Sequence, residues 1–488
     1  MHTITVVEFT TFFRIPKING INYRDLRIYM STINFNTKEY EPFGYIEDDL
    51  SIRIPKIPHG MLINTLCKLY NVKDVIINKA DSFPYDKIEG YYMKNQPKDD
   101  IQKSVIDGAI KNLAQEERCI ISLKTGQGKT YVAVNIIHRI KVRTIIFVKS
   151  VELKNQWYEA FMNHTTAKNI ITINAVADLV ALNDASHKFD VIITTHRSMQ
   201  LFIDTIGLKE FSKFMIKKGI GLKIYDEFDL ENASMFKIDT HSSTRFNLYL
   251  SATDYKSGSH EQRIFQRIFQ DVPNIGKEFL PDIKRNAIFC LYKSNPTKRE
   301  KYSTLMYTRE GPVFNYHKYH AYMVEKKAYM DILTKMWQSF IKERYYSHVI
   351  LKTVFFIGRK TTAEDFKKDL LKITGLDSEY ISILNSDTPT KDREKAMNSR
   401  LIISTSDSLG RGIDLKGLDT VVDLETRASL SETVQVLGRV SRTGMKNVGT
   451  YIQLVDADFS TVLKNYEKKM EKRFFDTYFT DIKIKEFY

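Results

Sequence analysis

The sequence predicts an α/β protein: a small α+β module followed by two tandem domains, each a parallel sheet flanked by helices. Three observations predict it. From residue 98 onward, short continuous apolar runs alternate with amphipathic helical stretches, the pattern of strands buried on both faces. The pattern occurs in two blocks, 96–285 and 286–488. Residues 1–95 read differently, as short alternating runs rich in Ile, Tyr, Phe and Pro. A chain of 488 residues is long enough for two or three domains with real cores.

Composition narrows the class. Hydrophobic residues at 43% and charged residues at 27% are ordinary for a globular protein. The 73 Lys and Arg against 59 Asp and Glu give +14, which favours a polyanionic partner, most simply nucleic acid. Cys67, Cys119 and Cys290 are odd in number and widely spaced. They form neither a disulfide framework nor a zinc pattern, and a reducing cytoplasm fits them. No apolar run approaches the roughly 18 residues of a membrane span, so no membrane partner is expected. The start of the chain lacks the basic and long apolar stretches of a signal peptide.

In the leading module, residues 6–9, 27–30, 50–54 and 75–77 read as strands and 60–70 as a helix. Residues 84–97, with Gly90, read as a linker. Lys17, Arg24, Arg27, Arg53 and Lys56 beside aromatic residues suit either substrate gripping or a solvated surface.

The first block opens with a helix at residues 100–103 that leads to a strand, 119–123. Then comes LKTGQGKT, residues 123–130, and a candidate helix, 131–137. Strand, Gly-containing turn and helix make a phosphate cradle. Gly126 and Gly128 let the backbone turn its N–H groups toward phosphates, with Thr125 and Gln127 between and beside them. The helix N-terminus adds partial positive charge. Lys129 can reach the β- and γ-phosphates, and the Thr130 hydroxyl can ligate Mg²⁺. Further strands are expected at 144–148, 190–195, 221–225 and 248–250, with a capped amphipathic helix from Ser150 to Trp157. Polar clusters stand at the strand ends, where open α/β sheets bind ligands. One is Asp226-Glu227: the first carboxylate can hold Mg²⁺ and the second can deprotonate a water.

In the second block, strands are expected at 353–357, 380–384, 400–405 and 420–424, with a helix over 361–372. Gly410-Arg411-Gly412-Ile413-Asp414 falls in a loop after a strand. Arg439 and Arg442 are three residues apart, so a short helix puts both guanidiniums on one face, a good match for a triphosphate. Residues 293–322 mix Lys298, Arg299, Lys301 and Lys318 with Tyr302, Tyr307 and other rings. That stretch suits either a nucleic-acid grip or an ordinary packed hairpin.

The ordered set resembles a superfamily 2 nucleic-acid helicase over about residues 98–450. Gln102 stands where the family reads adenine, and LKTGQGKT is similar to motif I. FVKSVELKNQW, 147–157, resembles motif Ia, with the L-x-x-Q-W ending of the UvsW, RecG and XPB-like branch. TTHRSM, DEFD and SAT resemble motifs Ib, II and III; residues 355–359, STSDSLGRGID and QVLGRVSR resemble motifs IV, V and VI. Asp229 departs from the branch, which carries His there, and Lys124 replaces a Pro. Size and the leading module look most like phage, or related poxvirus, branched-DNA helicases.

The resemblance implies two RecA-like domains, ATP and Mg²⁺. It implies Lys129, Thr130, Gly412 and Asp414 on nucleotide, Thr130 and Asp226 on the metal, and Glu227 on the attacking water. Arg439 and Arg442, with Gln435, are implied at the γ-phosphate. Lys149, Gln156, Trp157, Thr195 and Arg197 from the first domain are implied along the nucleic acid, joined by Phe356, Arg359, Thr405 and Arg411 from the second. The expected partner is branched or forked DNA, gripped without regard to sequence by a monomer in a host-cell cytoplasm. Gln435 and the Gln-Trp of motif Ia argue against an RNA helicase or transcript-release motor, for which DEFD alone would speak. A non-hydrolysing clamp is the remaining alternative.

Overall fold

The computed structural model describes residues 3–18, 21–33, 40–42, 44–70, 72–81, 83–123, 127–184, 188–228, 232–251, 260–276, 285–308, 311–347, 352–405, 408, 415, 417–425, 433, 437, 448–471 and 478–488. The chain divides into two compact units, Met1–Leu280 and Pro281–Tyr488.

The first unit begins with strands β1 (Thr3–Glu8), β2 (Phe12–Pro16), β3 (Ser31–Ile33), β4 (Tyr40–Pro42), β5 (Ile46–Glu47), β6 (Ser51–Pro55) and β7 (Asp74–Lys79). Five of them form a sheet in the order β5-β6-β2-β1-β7, and β3 pairs with β4. Alternation works here as expected of a one-sided sheet: Ile4 and Val6, Phe13 and Ile15, and Ile52 and Ile54 are buried, with polar neighbours between. Residues 27–30, expected as a strand, are instead largely in the helix Arg24–Tyr29. Leu26 and Met30 are both buried and sit four apart, so helical spacing overrides the strand preference of Ile and Tyr. The helix His59–Tyr70 agrees with expectation.

A second sheet in this unit comprises β8 (Arg118–Ser122), β9 (Thr144–Val148), β10 (Ile170–Thr172), β11 (Val191–Thr195), β12 (Leu222–Asp226), β13 (Phe246–Ser251) and β14 (Asn274–Ile275). Its order is β10-β11-β9-β12-β13-β8-β14, and every pairing is parallel. The continuous apolar runs follow from burial on both faces. Phe147, Tyr225 and Tyr249 lie in register on neighbouring strands, with ring centroids 4.9 and 5.5 Å apart. Below them Asp239 accepts hydrogen bonds from Lys223 at 2.5 Å, Tyr225 at 2.5 Å and Tyr249 at 3.0 Å. A buried charge survives when paired and hydrogen-bonded, and this one is.

The leading sheet and the larger sheet share one hydrophobic core, in which Ile4, Val6 and Phe13 are continuous with Tyr225, Phe236 and Phe265. Polar ties reinforce it. The Thr11 hydroxyl donates to the Asp239 carbonyl at 2.8 Å, and Glu117 takes Lys79 at 3.0 Å, the Thr10 hydroxyl at 3.3 Å and Arg245.

The second unit contains β15 (Arg285–Tyr292), β16 (Leu305–Thr308), β17 (Gly311–Phe314), β18 (Lys352–Phe356), β19 (Ile381–Ile383), β20 (Leu401–Ser404), β21 (Leu418–Asp423), β22 (Gly449–Asp456) and β23 (Asp481–Phe487). Seven form a parallel sheet in the order β19-β20-β18-β21-β22-β15-β23, while β16 and β17 pair antiparallel as a hairpin. The fold is thus the expected pair of RecA-like α/β domains. Among the described residues no helix is long and apolar enough to cross a membrane.

Burial raises the Asp456 carboxyl, at the end of β22, from 3.8 to about 6. A raised acid binds its proton more tightly when folded. Its contribution is therefore favourable below about pH 4, shrinks between 4 and 6, and is a full cost above 6. A displacement of roughly two pH units costs about 3 kcal/mol. Asp456→Asn is expected to flatten the stability profile across that window and to raise stability by about 1–3 kcal/mol at pH 8. Urea unfolding at pH 4, 6 and 8 checks it; a variant less stable at pH 8 than at pH 4 contradicts it.

Candidate nucleotide site

Strands β8, β13 and β12 are neighbours, and their carboxyl ends are level: Ser251 is in register with Ser122, and Leu250 with Asp226. The Leu123 N–H donates to the Ser251 carbonyl at 3.2 Å, tying the start of the 123–130 loop to the end of β13. Thr125 and Gly126 lie outside the described residues, and the loop resumes at Gln127. Gly128 has φ +86°, a conformation that side chains rarely adopt. A Cβ there would lie 2.3 Å from the Gln102 amide nitrogen, which would have to move, and the left-handed backbone itself favours glycine.

The helix Lys129–Ile140 starts directly after Gly128 with no side-chain cap and no acidic residue in its first turn. The helices Asp100–Glu116, Val151–His164 and His196–Ile206 are capped by Asp99, Ser150 and Thr195. The uncapped terminus offers its N–H groups and partial positive charge to an anion. Lys129 and Thr130 stand half-buried in its first turn. These features fit the phosphates of a nucleotide.

Asp226 is 5% exposed and accepts a hydrogen bond from the Trp157 indole N–H at 2.8 Å. A carboxylate has about four lone-pair sites, so Asp226 keeps acceptor capacity for a cation. That chemistry fits Mg²⁺ with Thr130 as a second oxygen ligand. Among the described residues no group of three or more His, Cys, Asp or Glu gathers for a metal. Glu227 follows with φ +51°, left-handed backbone in a non-glycine residue at a strand end.

Three of the expected site residues are placed in the interior. Gln102 is 4% exposed and both ends of its amide are used: it accepts from Lys98 N–H at 3.0 Å and donates to the Gln127 carbonyl at 2.9 Å. That amide braces the loop. Trp157, expected on the nucleic acid, is 1% exposed and sits under Asp226. Phe356, expected there too, is 1% exposed in the core of the second unit. Both rings are enclosed by protein.

Thr195 is also largely buried, and its hydroxyl caps the following helix. Thr405 bonds Ser408 at 2.8 Å. Lys149 and Gln156 are half-buried, while Arg197 and Arg359 are exposed. Arg411, Gly412, Asp414, Gln435, Arg439 and Arg442 lie outside the described residues. The Trp157–Asp226 bond was not legible beforehand: Trp157 reads as a surface residue from its motif, although its fall beside Leu153 and Phe161 on one helical stripe is an interior signal.

Comparison with known proteins agrees with this geometry. Residues 97–256 match the family model "Type III restriction enzyme, res subunit", and residues 336–444 match "Helicase conserved C-terminal domain". The chain is 24% identical over 386 residues to 161L of Invertebrate iridescent virus 6, a protein named as a helicase, covering 76% of this chain and 79% of that one. It is 22% identical over 350 residues to "Transcript termination protein A18" of Yaba monkey tumor virus, covering 68% of this chain and 66% of that one. Among solved structures, S. cerevisiae Dbp5 bound to RNA and ADP BeF3 superposes with TM-score 0.51 at 17% identity, covering 78% of this chain and 89% of that chain. That last likeness is one of fold.

Proposed function

The chain carries the paired motor domains of a superfamily 2 helicase, and from that premise we propose that it is an ATP-dependent DNA helicase or translocase acting on forks and recombination junctions. The observation that carries the ATP-driven part is the strand-end constellation. A loop turned through a left-handed glycine, an uncapped helix bearing Lys129 and Thr130, and Asp226 braced by Trp157 close on one edge of one sheet. The choice of DNA rests on the Gln156-Trp157 ending and on the restriction-enzyme likeness of the first domain.

In this reading Lys129 and the loop N–H groups hold the β- and γ-phosphates. Thr130 and Asp226 hold the cation. Bound Mg²⁺ supplies charge neutralisation on the transferred phosphoryl group. Glu227 orients a water and takes its proton. By the family resemblance Arg439 and Arg442, with Gln435, Gly412 and Asp414, are proposed to act on the nucleotide; all five lie outside the described residues. The backbone tie from Ser251 to Leu123 would pass the state of the nucleotide to the rest of the first domain. Exposed Arg197 and Arg359, with Lys149, Gln156, Thr405 and Arg411, would meet phosphates rather than bases, so binding falls steeply with salt. Residues 1–95 are proposed as a DNA-contacting module and the protein as a monomer of a viral host's cytoplasm, serving recombination and repair.

A transcript-release motor is the second reading, favoured by the similarity to A18. Matched forks, four-way junctions and tailed duplexes, in DNA and RNA form, separate the two. ATP-dependent unwinding of the DNA forms is expected. ATPase stimulation by RNA alone would overturn the DNA assignment.

The Trp157 contact gives a further expected result. Trp157→Phe keeps an aromatic ring in the core and deletes the N–H that holds Asp226. Loss of such a supporting contact to a metal ligand costs roughly 10–100-fold in metal affinity or activity. The half-saturating Mg²⁺ concentration for ATPase should rise by about tenfold. An unchanged Mg²⁺ titration would show that the indole serves packing only.

A further inference from the structure

His196 is a buried polar residue that the nucleotide chemistry above does not use. It opens the helix His196–Ile206, between the cap Thr195 and the exposed Arg197. Its ring is 3% exposed and lies against the sheet, 5.8 Å from the Phe147 ring and 6.0 Å from the Tyr225 ring. Tyr225 immediately precedes Asp226 at the end of β12.

Burial keeps this imidazole neutral, pushing its pKa from 6.5 down to about 3. A neutral imidazole has one donor nitrogen and one acceptor nitrogen. Nδ1 is hydrogen-bonded to the Ser234 hydroxyl at 3.2 Å. Nε2 is buried and has no partner among the described residues. An unmet buried polar atom costs stability, and phenylalanine would fill the same stack without that cost. Packing alone therefore does not account for the imidazole.

The Ser234 bond joins two helices. Ser234 lies on the helix Asn232–His241, which comes after the Asp226-Glu227 strand end in the chain. That helix is fixed to the sheet, since its Asp239 takes Lys223 and Tyr225 from β12 and Tyr249 from β13. A second tie between the two helices, Lys237 to Asp204 at 3.0 Å, is partly exposed and so contributes little. His196 thus touches the helix after the acid pair and the ring beside Asp226, while its own helix carries Arg197 outward. A shift of that helix that found Nε2 a partner would be favoured at that atom, and it would move the contacts to Ser234 and Tyr225 with it.

We propose that His196 is a positioning residue that passes nucleic-acid binding at Arg197 to the acid pair Asp226-Glu227, through Ser234 and Tyr225. The proposal rests on the motor reading above and names the side chain that links its two sites within the first domain.

The test uses the full chain. His196→Phe keeps a ring in the stack and removes both nitrogens. The stimulation of its ATPase by forked DNA should drop about tenfold, a usual size for coupling between two sites. Coupling is reciprocal, so the factor by which a non-hydrolysable ATP analogue changes affinity for the fork should shrink in the same variant. A residue that only packed would leave this second readout alone. ATPase without nucleic acid, affinity for the fork without nucleotide and the melting temperature should not fall. Ser234→Ala should reproduce both losses, the double variant should lose no more than either single one, and Ser234→Thr, which keeps the hydroxyl, should behave as wild type. Undiminished stimulation and an undiminished analogue effect in His196→Phe would overturn the proposal. So would a parallel fall of basal and stimulated rates with a lower melting temperature, which would make His196 a packing residue. The same measurements are made with the matched RNA fork. If neither fork stimulates wild-type ATPase, it is the motor reading that fails, and this proposal falls with it.

Discussion

Glu227→Gln is expected to stop ATP turnover while nucleotide binding stays within a few-fold of wild type. A positioned general base contributes roughly 10²–10⁴ in rate, and the amide cannot accept the proton from water. Steady-state kcat with saturating DNA should fall by that factor, while a fluorescent nucleotide titrates as before. Full turnover in Glu227→Gln would remove this carboxylate from the reaction. A companion variant exposes a trade. Glu227 holds φ +51°, and a side chain there costs about 1 kcal/mol relative to ordinary backbone. Glu227→Gly relieves that cost, so its melting temperature should match or exceed wild type even though its turnover is lost. If Glu227 is the base proposed above, its unfavourable conformation is the expected signature of geometry selected for chemistry over stability.

The second large effect concerns the two arginines of the later block. Arg442→Ala and Arg439→Ala should each lower kcat by roughly 10³–10⁵, the value of an arginine finger in related phosphoryl transfers. KM for ATP should change far less, because the charge these groups meet develops in the transition state. Lysine at either position should restore little, since it lacks the planar fork. Steady-state kinetics with saturating DNA decides the matter. A clamp without turnover predicts background rates in wild type and no further loss in the variants.

Much of this architecture was legible because parallel strands buried on both faces are written as unbroken apolar runs. Residues 144–148 and 191–195 needed no context to be recognised. One strand that escaped notice carries polar residues inside. β22 is buried along its whole length yet includes Thr450, Gln453 and Asp456. The Gln453 side-chain oxygen accepts from Lys469 at 2.9 Å, 16 residues along the chain, and no local pattern announces such a partner. The same limit applied at the nucleotide site. Motif spacing singles out Gly128, Lys129 and Asp226 as candidates, but cannot say that Gln102 spends its amide on the loop or that Trp157 turns inward to Asp226. Those are facts of tertiary packing, and period and propensity carry no information on them.

The common interior of the leading sheet and the larger one has a practical outcome. A protein cut just ahead of Lys98 would lay bare the apolar faces of Phe236 and Phe265 and strand Glu117 without Lys79 and Thr10. The minimal motor cannot be trimmed to its signature motifs. What looks like an appendage by sequence is a wall of the engine housing, and shortened versions should aggregate rather than run slowly.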